Sequence, residues 1–518
     1  MTEPYYVTTP IYYVNDVPHI GHAYTTIAAD VLARFHRLQK RPVRFLTGTD
    51  EHGVKIYKAA QEKGTTPDKL GDQVVVHFKD LWKQLNITND DFIRTTEDRH
   101  EKRVQELIRR LIDRDEVYLG SYEGWYDEGQ EEYVTESAAR ENEYRSAISG
   151  RELVKYSENN WFFRLGKWVP RLIEHIEANP GFVQPAARRN EVLSKLKQGV
   201  EDLCISRRRE KLPWGVAMPN DDEHVVYVWV DALSNYINAL GIPEVGDEHD
   251  GAFAQYWPAD VHLIGKDILW FHAVYWPCIL MALEIPLPRC VFAHGWWTSE
   301  GKKMSKSLGN FISREVIEEI CTEYSLDAFR YYLLRAMAFG ADGDFSRDMF
   351  QQRYNTDLAN GAGNLLSRTI NMIGRYFDGS VPELGVVGPE AMPVLDAAET
   401  LNARAGELMD SLQLHAYIEA VMDLVDRTNK FIEVTEPFRL AKDESQRERL
   451  SAIMYTCAEA VRIILLYLRP VMPETCEKGL CALGCPSTDQ PLSEAGAWGQ
   501  LTAGTSTEKI DPLFPRKK

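Results

Sequence analysis

Two short segments, far apart in this 518-residue chain, carry residue types suited to handling a polyphosphate. One is His19-Ile20-Gly21-His22; the other is Lys303-Met304-Ser305-Lys306-Ser307. The first offers two imidazoles that can donate to phosphate oxygens, and a glycine, Gly21, that lets a base or ribose come close to the backbone. A helix start at this point would add unpaired N–H groups and a partial positive charge, both of which favour phosphate. The second places Lys303 and Lys306 between Gly301 and Gly309, which predicts a mobile loop that closes over a triphosphate. Such donors speed a reaction when they meet charge as it develops on a departing pyrophosphate. Taken singly, the histidine pair is equally an ordinary helix cap and the lysine pair a solvated basic turn. Their joint presence, each shortly after a predicted strand, selects the nucleotide reading.

Positioning these groups requires strands that deliver loops to one edge. Tyr5–Thr8 reads as a strand, and the loop after it holds Pro10, Asn15, Asp16 and Pro18. Ile27, Val31, Phe35 and Leu38 then recur at helical spacing. Val43–Thr47 is a second strand, ending at Gly48-Thr49-Asp50-Glu51-His52-Gly53. Strand, helix, strand in close order predicts a parallel sheet with its ligand crevice at the strand carboxyl ends. From Glu116 to Pro219 the texture turns to Tyr, Glu and Gly with short strand-like pieces, which reads as an insertion. Parallel strands are expected again at Val225–Val228, Val261–Ile264 and Cys290–Ala293. Beyond Asp348 the pattern is helical: Leu358, Ala362, Leu365, Thr369, Ile373 and Phe377 form one stripe, and Pro437 breaks between two later helices. An antiparallel helix bundle follows from this pattern. The expected domains are 1–115, the insertion 116–219, 220–293, a junction 294–347, the bundle 348–485 and a tail 486–518 that wraps the surface.

Bulk composition is that of a globular protein, 44% hydrophobic and 26% charged. The amino terminus lacks a basic region followed by an apolar run, and charged residues or histidines interrupt the apolar stretches, so neither a signal peptide nor a membrane span is expected. Eight scattered cysteines fit reduced thiols and a cytoplasmic location better than a disulfide framework. The net charge of −18 disfavours broad nonspecific nucleic-acid binding. It leaves room for a basic groove, since salt screens distant charge within roughly 8–10 Å.

Both segments match, without a substitution, the two signature motifs of the class I aminoacyl-tRNA synthetases. The resemblance extends over nearly the whole chain and narrows to the methionyl-tRNA synthetases. Further segments that carry it are Pro10–Asn15, Gly48–Gly53, Val228–Ala232, Ile264–Ile268 and Phe292–Gly295. It implies an α/β fold: a Rossmann-like parallel sheet in two halves, 1–115 and 220–293, with a connective insertion, followed by an all-α anticodon-binding bundle. It implies a ligase that activates methionine with ATP, accompanied by Mg2+, and transfers it to tRNA(Met), both initiator and elongator. By this resemblance Ile11, Tyr13, Trp229, Leu233, Tyr236 and His272 surround the methionine side chain, and the Asp50 carboxylate pairs with its ammonium group. His19, Gly21, His22, Gly265, Lys266, Asp267, His294 and Lys306 bind ATP, and His19, His22, Lys303 and Lys306 stabilise the transition state. Asn364, Arg368 and Phe438 match positions that meet the anticodon. Relatives usually carry tryptophan where Phe438 stands; phenylalanine still stacks on a base but offers less area and no indole N–H.

A thioether is uncharged and polarizable and gains roughly 0.3–1.5 kcal/mol against an aromatic ring, which suits the pocket residues. Trp229, Leu233 and Tyr236, at i, i+4 and i+7, would share one face of a helix, although a helix packing its core has the same stripe. One methylene is worth only about 1–3 kcal/mol, so homocysteine is an expected competitor. The insertion is too small for a large hydrolytic editing domain, and the resemblance implies cyclisation of homocysteinyl adenylate in the synthetic site.

Many such enzymes hold zinc in the insertion. Here the first cysteine is Cys204, and Asp127 and Gln130 stand where a Cys-x-x-Cys pair would fall, so no zinc is expected. Cys476, Cys481 and Cys485 are expected to be buried or free thiols. No further carboxyl-terminal domain and a monomeric state are expected. Rival readings are another class I synthetase and a nucleotidyltransferase of the same superfamily. The cysteine enzyme would need an early zinc-binding cysteine, and the nucleotidyltransferase would leave the long helical bundle unexplained.

Overall fold

The computed structural model describes residues 3–15, 17–130, 132–134, 136–242, 251–299, 301–304, 311–386, 388–485 and 489–517. Contacts divide the chain into two compact units, one of Glu3–Pro18 with Val43–His294 and the other of Met1–Thr2, His19–Pro42 and Gly295–Lys518.

The first unit is built on a six-stranded parallel sheet. Its strands are β1 (Tyr5–Tyr13), β2 (Val43–Asp50), β3 (Asp91–Arg94), β4 (Val183–Gln184), β5 (Val261–Gly265) and β6 (Val291–His294). Their spatial order is β3-β2-β1-β5-β6-β4. Residues such as Tyr6, Val7, Phe45, Leu46, Leu263 and Val291 are buried on both faces, as a parallel sheet covered by helices requires. Pro10 cannot donate to the ladder, and the β1–β2 register shifts between Thr8 and Ile11. The strand order reverses at β1, which has β2 on one side and β5 on the other; open α/β sheets place their ligand crevice at such a point, beyond the carboxyl ends.

The insertion contributes a four-stranded antiparallel sheet of Glu132–Val134, Val117–Asp127, Val154–Phe163 and Leu203–Cys204. It is not closed on itself, because β4 lies within its sequence and joins the edge of the parallel sheet beside β6. The parallel strand expected at Val225–Val228 is a different element. Asp221–Val226 pairs antiparallel with Ser206–Arg208 and with Ala217–Met218, and Val228 already starts a helix. The acidic, outward-facing half of that strand, Asp221 to Glu223, suits a small half-exposed sheet and not a strand buried on both faces.

In the second unit, the helix Ile20–Leu38 is tied to the helix Leu326–Arg335 by a fully buried ion pair, Asp30 Oδ2 to Arg330 Nη2 at 2.6 Å. The bundle comprises Gly363–Tyr376, Met392–Asp410, Leu414–Thr435, Arg447–Leu468 and Pro473–Ala482. Of the expected stripe, Leu358, Leu365, Thr369 and Ile373 are buried, while Ala362 is half-buried. Phe377 ends its helix half-buried under the Arg447 guanidinium at 4.2 Å. Glu436, with φ 43°, turns the chain ahead of Pro437. The helix Glu444–Leu468, with a mean hydropathy of 1.5, is long and apolar enough to cross a bilayer by length and composition alone, as the core helix of a globular protein also can be. Farther along it Glu459 and Arg462 pair with each other, and 94% of its apolar window is buried inside the protein, which accounts for its composition. The tail packs on this helix: Glu459 accepts from the N–H groups of Gly499, Gln500 and Leu501, and Leu501 and Phe514 are buried. Cys476 is buried, Cys485 partly so and Cys481 exposed, all as free thiols.

Candidate active site

The carboxyl edge of the parallel sheet gathers the residues expected to meet methionine. Tyr13 and Asp50, the last residues of β1 and β2, are register partners, as are Gly265 and His294 at the ends of β5 and β6. Trp229 forms one wall, with Tyr13 edge-on to it at 6.3 Å and Phe271 stacked on it at 3.8 Å and 6°. Ile11 packs on the same apolar cluster, which also buries Leu233. Trp229, Leu233 and Tyr236 do not share one helix, since Val228–Leu233 and Asn235–Asn238 are separate short helices meeting at Ser234. Trp229 and Tyr236 nevertheless both reach His272, at 6.3 and 5.7 Å between ring centroids. His272 sits on a π-helical turn, Phe271–Tyr275, a distortion often found at functional sites.

His272 and Tyr236 satisfy each other, whereas the Trp229 Nε1–H is buried without a hydrogen-bond partner among the described residues. His272 Nδ1 lies 3.0 Å from the Ile268 carbonyl, which can only accept, so Nδ1 carries the proton. Its Nε2 then accepts from the Tyr236 hydroxyl at 2.7 Å. Burial pulls the His272 pKa down to about 4 and pushes that of Tyr236 well up, so both are neutral. The result is an uncharged, polarizable surface, the kind a thioether prefers. Asp50, buried beside it, receives the His52 N–H at a long 3.4 Å, and Gly53, at φ 97°, ends the loop in a conformation that other residues resist.

In the other unit His19 is the N-cap of the helix Ile20–Leu38. Its Nδ1 accepts the Gly21 N–H at 3.0 Å, and His22 Nδ1 accepts the His19 N–H at 3.1 Å. This is a capping box built from imidazoles. Gly21 makes room for it, since a Cβ there would meet His19 Cε1 at 2.9 Å. A side chain at this position would crowd the His19 ring. With both Nδ1 atoms accepting from the backbone, each neutral ring carries its proton on Nε2, where it can be donated. Burial, with His19 nearby, holds the His22 pKa well below the usual value, so the ring is neutral. Ile20 N–H donates to the Ile312 carbonyl, and His19 bridges to Ser313, the residue that caps the helix Arg314–Glu323.

Lys303 is not on a free loop. Lys302–Lys303 pairs antiparallel with Trp297–Ser299 across a turn that holds Gly301 at φ 71°. Lys306 lies outside the described residues. Lys266 and Asp267 form a single tight turn directly after β5, and His294 is buried at the end of β6.

Comparison with known proteins decides the family. The family described as tRNA synthetases class I (M) matches residues 5–370. The methionine–tRNA ligase of Streptomyces coelicolor is 46% identical over 99% of this chain and 96% of its own. That of Halalkalibacterium halodurans is 45% identical over 99% of this chain and 78% of its own. The methionyl-tRNA synthetase of Mycobacterium tuberculosis, solved in complex with methionyl-adenylate, superposes with a TM-score of 0.93 at 40% identity over 99% of this chain and 100% of that one. The chain belongs to the class I methionyl-tRNA synthetases.

In this synthetase Asn364 is exposed and Arg368 half-buried one turn later on the helix Gly363–Tyr376. Phe438 is 46% exposed on the short helix Pro437–Leu440. Sequence reasoning assigned no role to Phe271, although it adjoins His272. It also passed over the buried cluster of His52, His100 and Asp231. His52 and Asp231 lie inside segments that carried the family resemblance, whereas His100 gave no signal beyond being a histidine near a helix start.

Proposed function

We propose a division of labour for the reaction of this methionine–tRNA ligase, which uses ATP to join methionine to tRNA. Asp50 pairs with the methionine ammonium, and Ile11, Tyr13, Trp229, Leu233, Tyr236 and His272 enclose the thioether. The carboxylate attacks the ATP α-phosphate in line, and pyrophosphate leaves. His19 and His22 donate from Nε2 to the phosphate oxygens as charge builds, and Lys303 and Lys306 receive the departing pyrophosphate. Gly21, Gly265, Lys266, Asp267 and His294 contact the nucleotide. Magnesium accompanies the triphosphate and is held mostly by phosphates and water. In the second step the 2′-hydroxyl of the terminal tRNA adenosine attacks the activated carbonyl and AMP leaves. Asn364, Arg368 and Phe438 meet the anticodon of initiator and elongator tRNA(Met).

The observation that best supports this assignment is the histidine cap, which commits Nδ1 of both rings to backbone N–H groups and so favours the Nε2–H tautomer. The insertion works without zinc in this reading. Asp127 Oδ1, where relatives offer thiolates, accepts the N–H groups of Gly129 at 2.8 Å and Gln130 at 3.2 Å and closes the turn itself. The enzyme acts in the cytoplasm as a monomer, and a dimer seen by light scattering would contradict this. Methionine-dependent ATP–pyrophosphate exchange tests the site. Lys306→Ala should slow adenylate formation far more than it weakens methionine binding; equal losses would make that loop structural.

A further inference from the structure

Three elements meet at one buried carboxylate in the unit that holds the methionine pocket. Asp231, 1% exposed, accepts from His52 Nδ1 at 2.7 Å through Oδ2 and from His100 Nε2 at 2.7 Å through Oδ1. The Asn238 amide donates to His100 Nδ1 at 3.2 Å and to Ser234 Oγ at 2.9 Å, which leaves the His100 proton on Nε2, facing Asp231. His52 belongs to the loop after β2, His100 to the helix Asp98–Asp113, and Asp231 to the helix Val228–Leu233. On the far side of the His52 ring, Nε2 lies 3.6 Å from Glu101 Oε1. Trp214 packs edge-on to His52 at 5.4 Å and donates to the Glu51 carbonyl at 2.6 Å.

The placement of this cluster matters for methionine. His52 is two residues from Asp50, and its backbone N–H is directed at the Asp50 carboxylate. Asp231 is two residues from Trp229 and two from Leu233. We propose that Asp231 is a positioning residue for amino-acid recognition: by accepting from His52 and His100 together, it holds the Asp50 loop in register with the helix that carries the thioether wall. The inference rests on the assignment of Asp50 to the substrate ammonium. It extends that assignment to three residues that touch no substrate themselves.

The electrostatics fit a device kept charged in the interior. Burial alone would raise the Asp231 carboxyl, but the His52 and His100 imidazoles outweigh it and hold the pKa at about 2. Burial likewise pulls on His52, and Asp231 with Glu101 more than offsets it, leaving the pKa raised. Two charge-assisted hydrogen bonds with fixed tautomers define the spacing of loop and helix more tightly than apolar packing would. The same network costs desolvation, so a role in geometry explains it better than stability does.

The test uses Asp231→Asn and His52→Gln in the full-length enzyme. Pyrophosphate exchange gives KM for methionine and for ATP, and competition gives the inhibition constant of γ-methylthiobutyrate, which is methionine without its amino group. An amide at 231 cannot accept from both imidazoles. Methionine KM should therefore rise about tenfold, the scale of one misplaced charge-assisted hydrogen bond. ATP KM and the inhibition constant of the deamino analogue should change less than about twofold, so that preference for the amino group shrinks. Methionine KM and analogue inhibition worsening together, or a lowered melting temperature with the preference intact, would overturn the proposal. If Asp231→Asn does not fold, His52→Gln alone decides by the same ratio. Asp50→Asn is the control for the underlying assignment. If it retains the preference, the ammonium assignment fails; if it loses the preference while the other variants keep it, only the positioning role fails.

Discussion

Replacing Arg330 with methionine should be among the most destabilising changes in the helical unit. Arg330 and Asp30 are both fully buried, their contact is 2.6 Å, and Asp30 Oδ2 also meets Arg34 at 2.7 Å. Arg330 also donates to the carbonyls of Val471 at 2.9 Å and Pro470 at 3.2 Å. Methionine fills much of the volume but supplies no donor. Breaking a buried pair by removing one partner costs about 3–5 kcal/mol, and an orphaned buried acceptor about 1–3 kcal/mol. Arg34 continues to neutralise Asp30, which trims the first figure, so the net cost should be near 4 kcal/mol. At about 2–4 °C per kcal/mol, this lowers the melting temperature of the first transition by roughly 8–16 °C. Asp30→Asn should be costly as well, because it leaves the guanidinium unneutralised. The double variant Asp30→Asn with Arg330→Met should then be more stable than the sum of the singles predicts, by about 2 kcal/mol. Circular dichroism melts and urea titration measure both quantities. A single-variant loss below about 1 kcal/mol, or strict additivity, would refute the argument that this pair ties the histidine-bearing helix to its unit.

Three further outcomes follow from the same structure. His22→Ala removes a neutral Nε2–H donor and the acceptor for the His19 N–H. Its kcat in pyrophosphate exchange should fall about 10²–10³-fold with methionine KM little changed, and a pure KM effect would contradict a transition-state role. Acid should destabilise the fold in a defined window, because His272 and His36 have folded pKa values lowered by burial to about 4 and about 3. Groups depressed in this way contribute stability above their unfolded pKa near 6.5 and lose it as pH falls toward the folded value. The melting temperature should therefore drop from pH 6.5 to pH 4, each histidine contributing up to about 1.4 kcal/mol per pH unit, with Asp231 adding below pH 4; a flat profile over that range would be inconsistent. Phe438→Ala should cost about 1–3 kcal/mol in kcat/KM for tRNA aminoacylation and leave pyrophosphate exchange unchanged, whereas Phe438→Trp should retain or improve tRNA use.

Tyr13, Asp50, Gly265 and His294 were named by the family resemblance. Each ends a strand that runs past the bounds expected from the apolar runs, as β1 does from Thr8 to Tyr13, and a parallel sheet brings such ends to one edge whatever lies between them. The helical stripe through Leu365 and Ile373 was plain, since packing one face of a helix leaves a 3.6-residue rhythm. Failures came where local pattern and tertiary use diverge. Val225–Val228 has the apolar content of a central strand, but the acidic residues before it face outward from a small antiparallel sheet. His100 was invisible because its partner, Asp231, is 131 residues away, and no periodicity records a contact at that separation.

Histidine shows why residue type alone underdetermines this site. At His19 and His22 a backbone N–H occupies Nδ1, so the proton sits on Nε2 and the ring becomes a donor. At His272 a backbone carbonyl faces Nδ1, so the proton sits there, and the remaining lone pair is taken up by the Tyr236 hydroxyl. In the assignment proposed above, the same imidazole thus gives a donor suited to phosphate oxygen in one unit and a silent wall for a thioether in the other. The difference lies in one backbone group at the opposite nitrogen. A spare donor beside the thioether would find only a weak acceptor there and would favour a more polar competitor that could meet it. In the proposed pocket the Tyr236 hydroxyl takes up the His272 lone pair, while the Trp229 Nε1–H, buried without a hydrogen-bond partner among the described residues, is the donor that a more polar competitor could meet.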